Sequence, residues 1–135
     1  MDLPKEIKEA ENLLVQFEKT LPNLTKDDAD KFFIAFLDIW KYLKKNPASE
    51  HSLYARRLRI NYTRRLLETA PLMPVLPESC WFNFRLSLQE DDLETVFKER
   101  PDLISGYECI RTQYPDEIFS NDRDRYITRL KKSIK

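Results

Sequence analysis

The chain has 135 residues, 41% hydrophobic and 34% charged, and its 23 basic and 23 acidic side chains cancel to a net charge of zero. Eight Phe, six Tyr and two Trp supply a core and exclude a disordered chain, while neutrality excludes a uniformly basic nucleic-acid coat. The single glycine, Gly106, excludes Gly-rich phosphate loops, dinucleotide fingerprints and glycine hairpins, which need positive φ or close backbone approach at several positions.

This length suits one ordinary domain, so residues 1–135 are expected to form a single helical unit without disulfide or metal staples. Cys80 and Cys109 sit far apart and outside any CxxC pattern. No apolar run reaches the ~18 residues of a membrane span, and Met1–Glu6 lacks the basic-then-apolar pattern of a signal peptide. A cytoplasmic setting with two free thiols is the expectation.

The first helix is predicted over Pro4–Thr20, capped by Asp2 and ended by Leu21-Pro22-Asn23, with Ile7, Ala10, Leu14 and Phe17 on one face. Thr25 opens a second helix, with Asp27 and Asp28 in its first turn and Asn46-Pro47 as its stop. Phe32, Phe33, Phe36, Leu37, Ile39, Trp40 and Leu43 wrap over half its circumference, which predicts a central position with neighbours on more than one side.

A third helix is predicted from about Pro47 to Thr69, capped by Asn46 or Ser49. Tyr54, Leu58, Tyr62 and Leu66 form one row, and Arg56, Arg57, Arg59, Arg64 and Arg65 lie between the apolar rows. Pro71, Pro74 and Pro77 exclude helix from the connector that follows, a stiff apolar segment expected to lie over the core.

Residues 81–89 alternate strictly: Phe82, Phe84, Leu86 and Leu88 against Asn83, Arg85, Ser87 and Gln89. This period of two predicts an extended segment, either a strand paired across a dimer axis or a plug of apolar side chains. Lone strands are not stable units, which favours the plug. Short helices are predicted over Glu90–Arg100 and Pro101–Gln113, with Gly106 inside the second pattern and weighing against an unbroken helix there, and a last one from a Ser120 cap to about Ser133. The expected architecture is all-α: a bundle or orthogonal array of about six helices.

Candidate chemistry is sparse. His51, the only histidine, falls in an expected exposed first turn beside Glu50 and suits a solvated side chain better than a catalytic base. Cys80, Cys109 and His51 lack metal-ligand spacing, and the acidic pairs Glu6/Glu9, Asp27/Asp30 and Asp91/Glu94 fit helix dipoles rather than a di-metal centre. No catalytic residue, metal or cofactor is expected, and the chain reads as a non-enzyme.

Charge segregation is the informative feature. Five arginines against Glu50 and Glu68 leave residues 46–70 at +3, while eleven acids against four bases leave residues 90–124 at −7. Arg57 and Arg64 share a helix face, Arg56 and Arg65 flank it, and guanidinium forks bind carboxylate or phosphate bidentately. Internal pairing with residues 90–124 would account for the same pattern. The expected function is a protein-interaction module, an adaptor or regulatory subunit, meeting an acidic protein or second subunit through Arg56, Arg57, Arg64, Arg65, Tyr54 and Tyr62. The alternative is a nucleic-acid-associated accessory protein that holds phosphate through the same helix and the basic C-terminus.

Overall fold

The computed structural model describes residues 3–20 and 23–133. Seven α-helices follow one another: α1 (Lys5–Thr20), α2 (Lys26–Lys45), α3 (Ser52–Thr69), α4 (Glu78–Ser87), α5 (Glu90–Glu99), α6 (Ile104–Gln113) and α7 (Asp116–Ser133). Short 3-10 turns at Ala70–Leu72 and Pro101–Leu103 join α3 to the connector and α5 to α6. No described residue is in a strand, and no described helix is long and apolar enough to cross a membrane. The all-α class expected from composition and periodicity is the observed one. The Asp2 cap and the Leu21-Pro22 stop lie outside the described residues.

The second helix is central, as its wide apolar face requires. A capping box starts it: Thr25 Oγ1 accepts from the Asp28 amide at 3.2 Å, and the Asp28 carboxylate accepts from the Thr25 amide at 3.2 Å. One side of α2 enters a core with Phe17, Phe32, Phe36, Tyr62, Leu66 and Phe84. Its other side, through Ala35, Ile39 and Tyr42, packs against Ile7, Ala10 and Ala55 of α1 and α3. Phe32 stacks on both Phe17 and Tyr62, tying the first three helices together.

Residues 81–89 are mostly helix, correcting the extended segment. On a helix, a period of two places Phe82 and Leu86 four apart on one face and Phe84 and the C-cap Leu88 on a roughly opposite one. Such two-sided patterning suits a helix sandwiched between layers. Phe84 meets Phe32 edge-on, while Phe82 meets Tyr114, Phe119 and Tyr126. The intervening polar groups are satisfied inside: Ser87 accepts from the Tyr62 hydroxyl and donates to the Asn83 carbonyl, and the buried Arg85 pairs with Asp116 and donates to the Tyr114 carbonyl.

Three smaller expectations are also corrected. α3 begins at Ser52 rather than near Pro47, because residues 47–51 form turns after Asn46 closes α2. His51 is buried at the N-cap of α3, with Nε2 3.1 Å from Glu50 Oε1. α7 begins at Asp116, so Ser120 lies inside it rather than at its cap.

The connector lies on the core only in part. Leu76 is buried and Met73 half-buried, whereas Leu72 and Val75 face out. The glycine sits where α6 crosses α3, and its missing Cβ lets the two backbones touch at Leu67.

Candidate functional site

α7 is the least embedded helix: none of its described side chains is buried. Asp116 holds its start, paired with Arg85 and, at 2.6 Å, with Arg111. Phe119 and Tyr126 pack on Phe82, and the Tyr114 hydroxyl donates to the Asp122 carboxylate. Burial first, then that carboxylate, pushes the Tyr114 pKa up to about 12, so the hydroxyl keeps its proton and the bond.

Along the edge of this same face α7 presents Phe119, Arg123, Ile127 and Leu130, at spacings of four, four and three residues, to a groove of about 1200 Å³. The opposite wall comes from the C-terminal half of α2, the first half of α3 and the start of α5, with Arg85 and Leu86 of α4 and Tyr107 of α6 completing the lining. Trp40, Leu43, Ile60, Leu93, Ile127 and Leu130 give the groove its apolar surface. Lys44 and Arg56 stand on the α2–α3 wall, Arg123 and Lys131 on α7.

None of these four cations has a carboxylate partner among the described residues. Lys44 lies over the Trp40 ring, Arg123 lies over Phe119, and Arg56 Nη2 donates to the Pro47 carbonyl at 3.1 Å. The groove's unpaired carboxylates are Glu90 and Asp91, in the first turn of α5 where the helix dipole favours them.

Arg59 and Asp92 form a deep ion pair at the groove's base. Arg59 Nη2 donates to Asp92 Oδ1 at 3.2 Å, and Nε lies 2.6 Å from Oδ2 in ion contact, though out of line for a hydrogen bond. Burial pushes the Asp92 carboxyl above its ordinary pKa, and Arg59 pulls it back. Such a pair holds α3 to α5 and fixes the wall.

The structure divides the six residues expected to meet a partner. Arg56 lines the groove. Arg57 and Arg64 are exposed, about 100° round the helix from Arg56 and close to one another, with Arg64 bonded to Asn61 at 3.3 Å. Arg65 is half-buried, and Tyr54 donates to the Glu11 carboxylate of α1. Tyr62 is a core residue, 3% exposed and stacked on Phe32, which corrects its placement as a contact group. Among the described residues four of the eleven acids of residues 90–124 form ion pairs, Asp102, Glu108 and Asp116 with Arg100, Arg111 and Arg85, and Asp92 with Arg59, the one third-helix arginine that meets them.

Trp40, Lys44, Arg59, Arg123 and Lys131 are groove residues that the sequence places respectively in the core, at a helix end, among the third-helix arginines, within the acidic 90–124 segment and in the basic tail. The signal for α7 was its four–four–three stripe, which pairs an apolar surface with Arg123. Burial pushes the thiols of Cys80 and Cys109 up, and both are free cysteines. Among the described residues no group of three His, Cys, Asp or Glu side chains could hold a metal ion. No protein-family model matches the chain, and neither a curated protein nor a solved structure shows significant similarity to it.

Proposed function

We propose that this chain is a non-catalytic protein-interaction module whose groove between α7 and the α2–α3–α5 wall receives an acidic, amphipathic helix of a protein partner. One observation carries the reading: an open, partly apolar groove bordered by four cations without carboxylate partners among the described residues. Its volume of about 1200 Å³ exceeds the roughly 300–1,000 Å³ of small-molecule pockets, which favours a segment of a macromolecule. The apolar surface offers anchoring places for residues at i, i+3, i+4 and i+7, and Lys44, Arg56, Arg123 and Lys131 complement carboxylates on the flanks. α7 has no described buried side chain to lose, so it can adjust to the occupant at low cost.

Trp40 reports occupancy directly, because it lines the groove while Trp81 is buried in the core. A synthetic acidic peptide with leucines at helical spacing is expected to shift Trp40 emission saturably in a Trp81→Phe background. Lys44→Glu with Arg123→Glu should abolish the shift without loss of helicity. A response that survives charge reversal, or one elicited by an RNA oligonucleotide and not by the peptide, overturns this reading. The RNA outcome would favour phosphate binding by the same cations.

A further inference from the structure

We infer that residues 73–77, between the Ala70–Leu72 turn and α4, form a second partner-binding element: a polyproline II edge that an aromatic-lined groove of another protein reads. Within the segment Pro74 and Pro77 stand three residues apart, one turn of a polyproline II helix, and Pro71 precedes them in the 3-10 turn. The backbone has that conformation at both ends of the segment, with φ −71° and ψ 147° at Met73 and φ −58° and ψ 151° at Pro77.

Three-residue periodicity divides the segment into edges, and burial follows the division. Met73 and Leu76 turn inward, half-buried and buried respectively, and anchor the strip to the core. Pro74 and Pro77 are exposed along a second edge. Val75 occupies the third at 101% exposure, and Leu72, at 67%, projects from the 3-10 turn just before the segment; they are the two most exposed large apolar side chains among the described residues. A connector that served only to join α3 to α4 would have no need to present both outer edges as proline and aliphatic surface.

The chemistry of the partner follows from that surface. Flat proline rings separated by one turn pack between aromatic side chains, and a preformed extended strip loses little entropy on docking. The exposed Glu78 flanks the segment without an ion-pair partner among the described residues, whereas Glu68 is already paired with Arg100 at 3.7 Å, and no Lys or Arg occurs from residue 66 to 84. The complementary groove is therefore aromatic-lined with a basic side chain at its rim. This strip shares no residue with the groove beside α7, so the two elements can be tested separately.

The test titrates the isotopically labelled full chain with three purified domains that bind polyproline II ligands through aromatic grooves: an SH3, a WW and an EVH1 domain. Saturable amide shifts confined to residues 72–79 with at least one of them are the expected result. Pro74→Ala with Val75→Asp should weaken binding by roughly tenfold or more. Both residues are exposed and outside the helices, so the far-UV spectrum should not change. Arg123→Glu, in the other groove, should leave this binding intact. No binding to any of the three at millimolar concentration, a footprint elsewhere, or affinity unmoved by the double variant would each overturn the inference.

Discussion

Substituting the lone glycine sets two effects of opposite sign against each other at one residue. Gly106 lies inside α6, where alanine favours the helix by about 1 kcal/mol over glycine. A Cβ built there falls 2.9 Å from the Leu67 carbonyl carbon and 3.2 Å from its Cα, and closer still to the carbonyl oxygen. These are backbone atoms of α3, so no rotamer change relieves the contact and the two helices must part. Overpacking typically costs 1–3 kcal/mol, and a contact this close to backbone belongs in the upper part of that range, about 2–3 kcal/mol. Separation also loosens Leu66, Leu67 and Ile110, which are at most 1% exposed. The clash wins: Gly106→Ala should lose about 1–2 kcal/mol net, which for a chain of this size lowers Tm by roughly 3–10 °C. Thermal unfolding followed by far-UV circular dichroism measures it. A Tm equal to or above that of the parent would show that helix propensity dominates and that α3 and α6 do not approach so closely.

Arg59→Ala should leave Asp92 as an uncompensated buried carboxylate and cost about 3 kcal/mol at neutral pH, the lower end for a broken buried pair because Arg59 keeps some contact with solvent. Asp92 already has a raised pKa, so its contribution to stability declines as pH rises from 3.8 through the folded value. Without Arg59 the pKa climbs further. Denaturant unfolding should therefore show the variant's deficit shrinking as pH falls toward 3.8, and a pH-independent deficit would contradict the assignment. Arg57→Glu with Arg64→Glu, both exposed and outside the groove lining, should stay within about 0.5 kcal/mol of the parent in the same assay.

Local signals read well wherever one face or one cap decided the outcome. Thr25, with Asp28 three residues on, announces its capping box, and the wide aromatic face of α2 announces burial on two sides. The segment 81–89 misled because alternation is ambiguous: four-residue pairs on two helix faces produce the same pattern as a half-buried strand. Only the presence of layers on both sides, Phe32 against Phe84 and Tyr114 against Phe82, resolves it. The start of α7 was legible in Pro115 followed by Asp116 and Glu117, the usual order for a first turn, but the later Ser120 drew the boundary away. The groove could not be read from sequence, since its lining comes from six helices and depends on how far α7 stands off the core. Likewise helix spacing sets Arg57 and Arg64 on a face apart from Arg56, but only tertiary packing shows that Arg56 and Arg59 line the groove and that Arg57 and Arg64 face out.

The most direct test of the central claim maps where an acidic amphipathic helix binds. The labelled full chain is titrated with the synthetic acidic peptide, and amide shifts are followed by residue. The expected footprint joins Trp40–Lys44, Arg56–Ile60, Glu90–Leu93 and Phe119–Lys131, on both walls of the groove, and disappears in the Lys44→Glu, Arg123→Glu variant. Shifts confined to the outward face around Arg57 and Arg64, or no saturable shifts at all, would contradict the claim that the groove is the binding site.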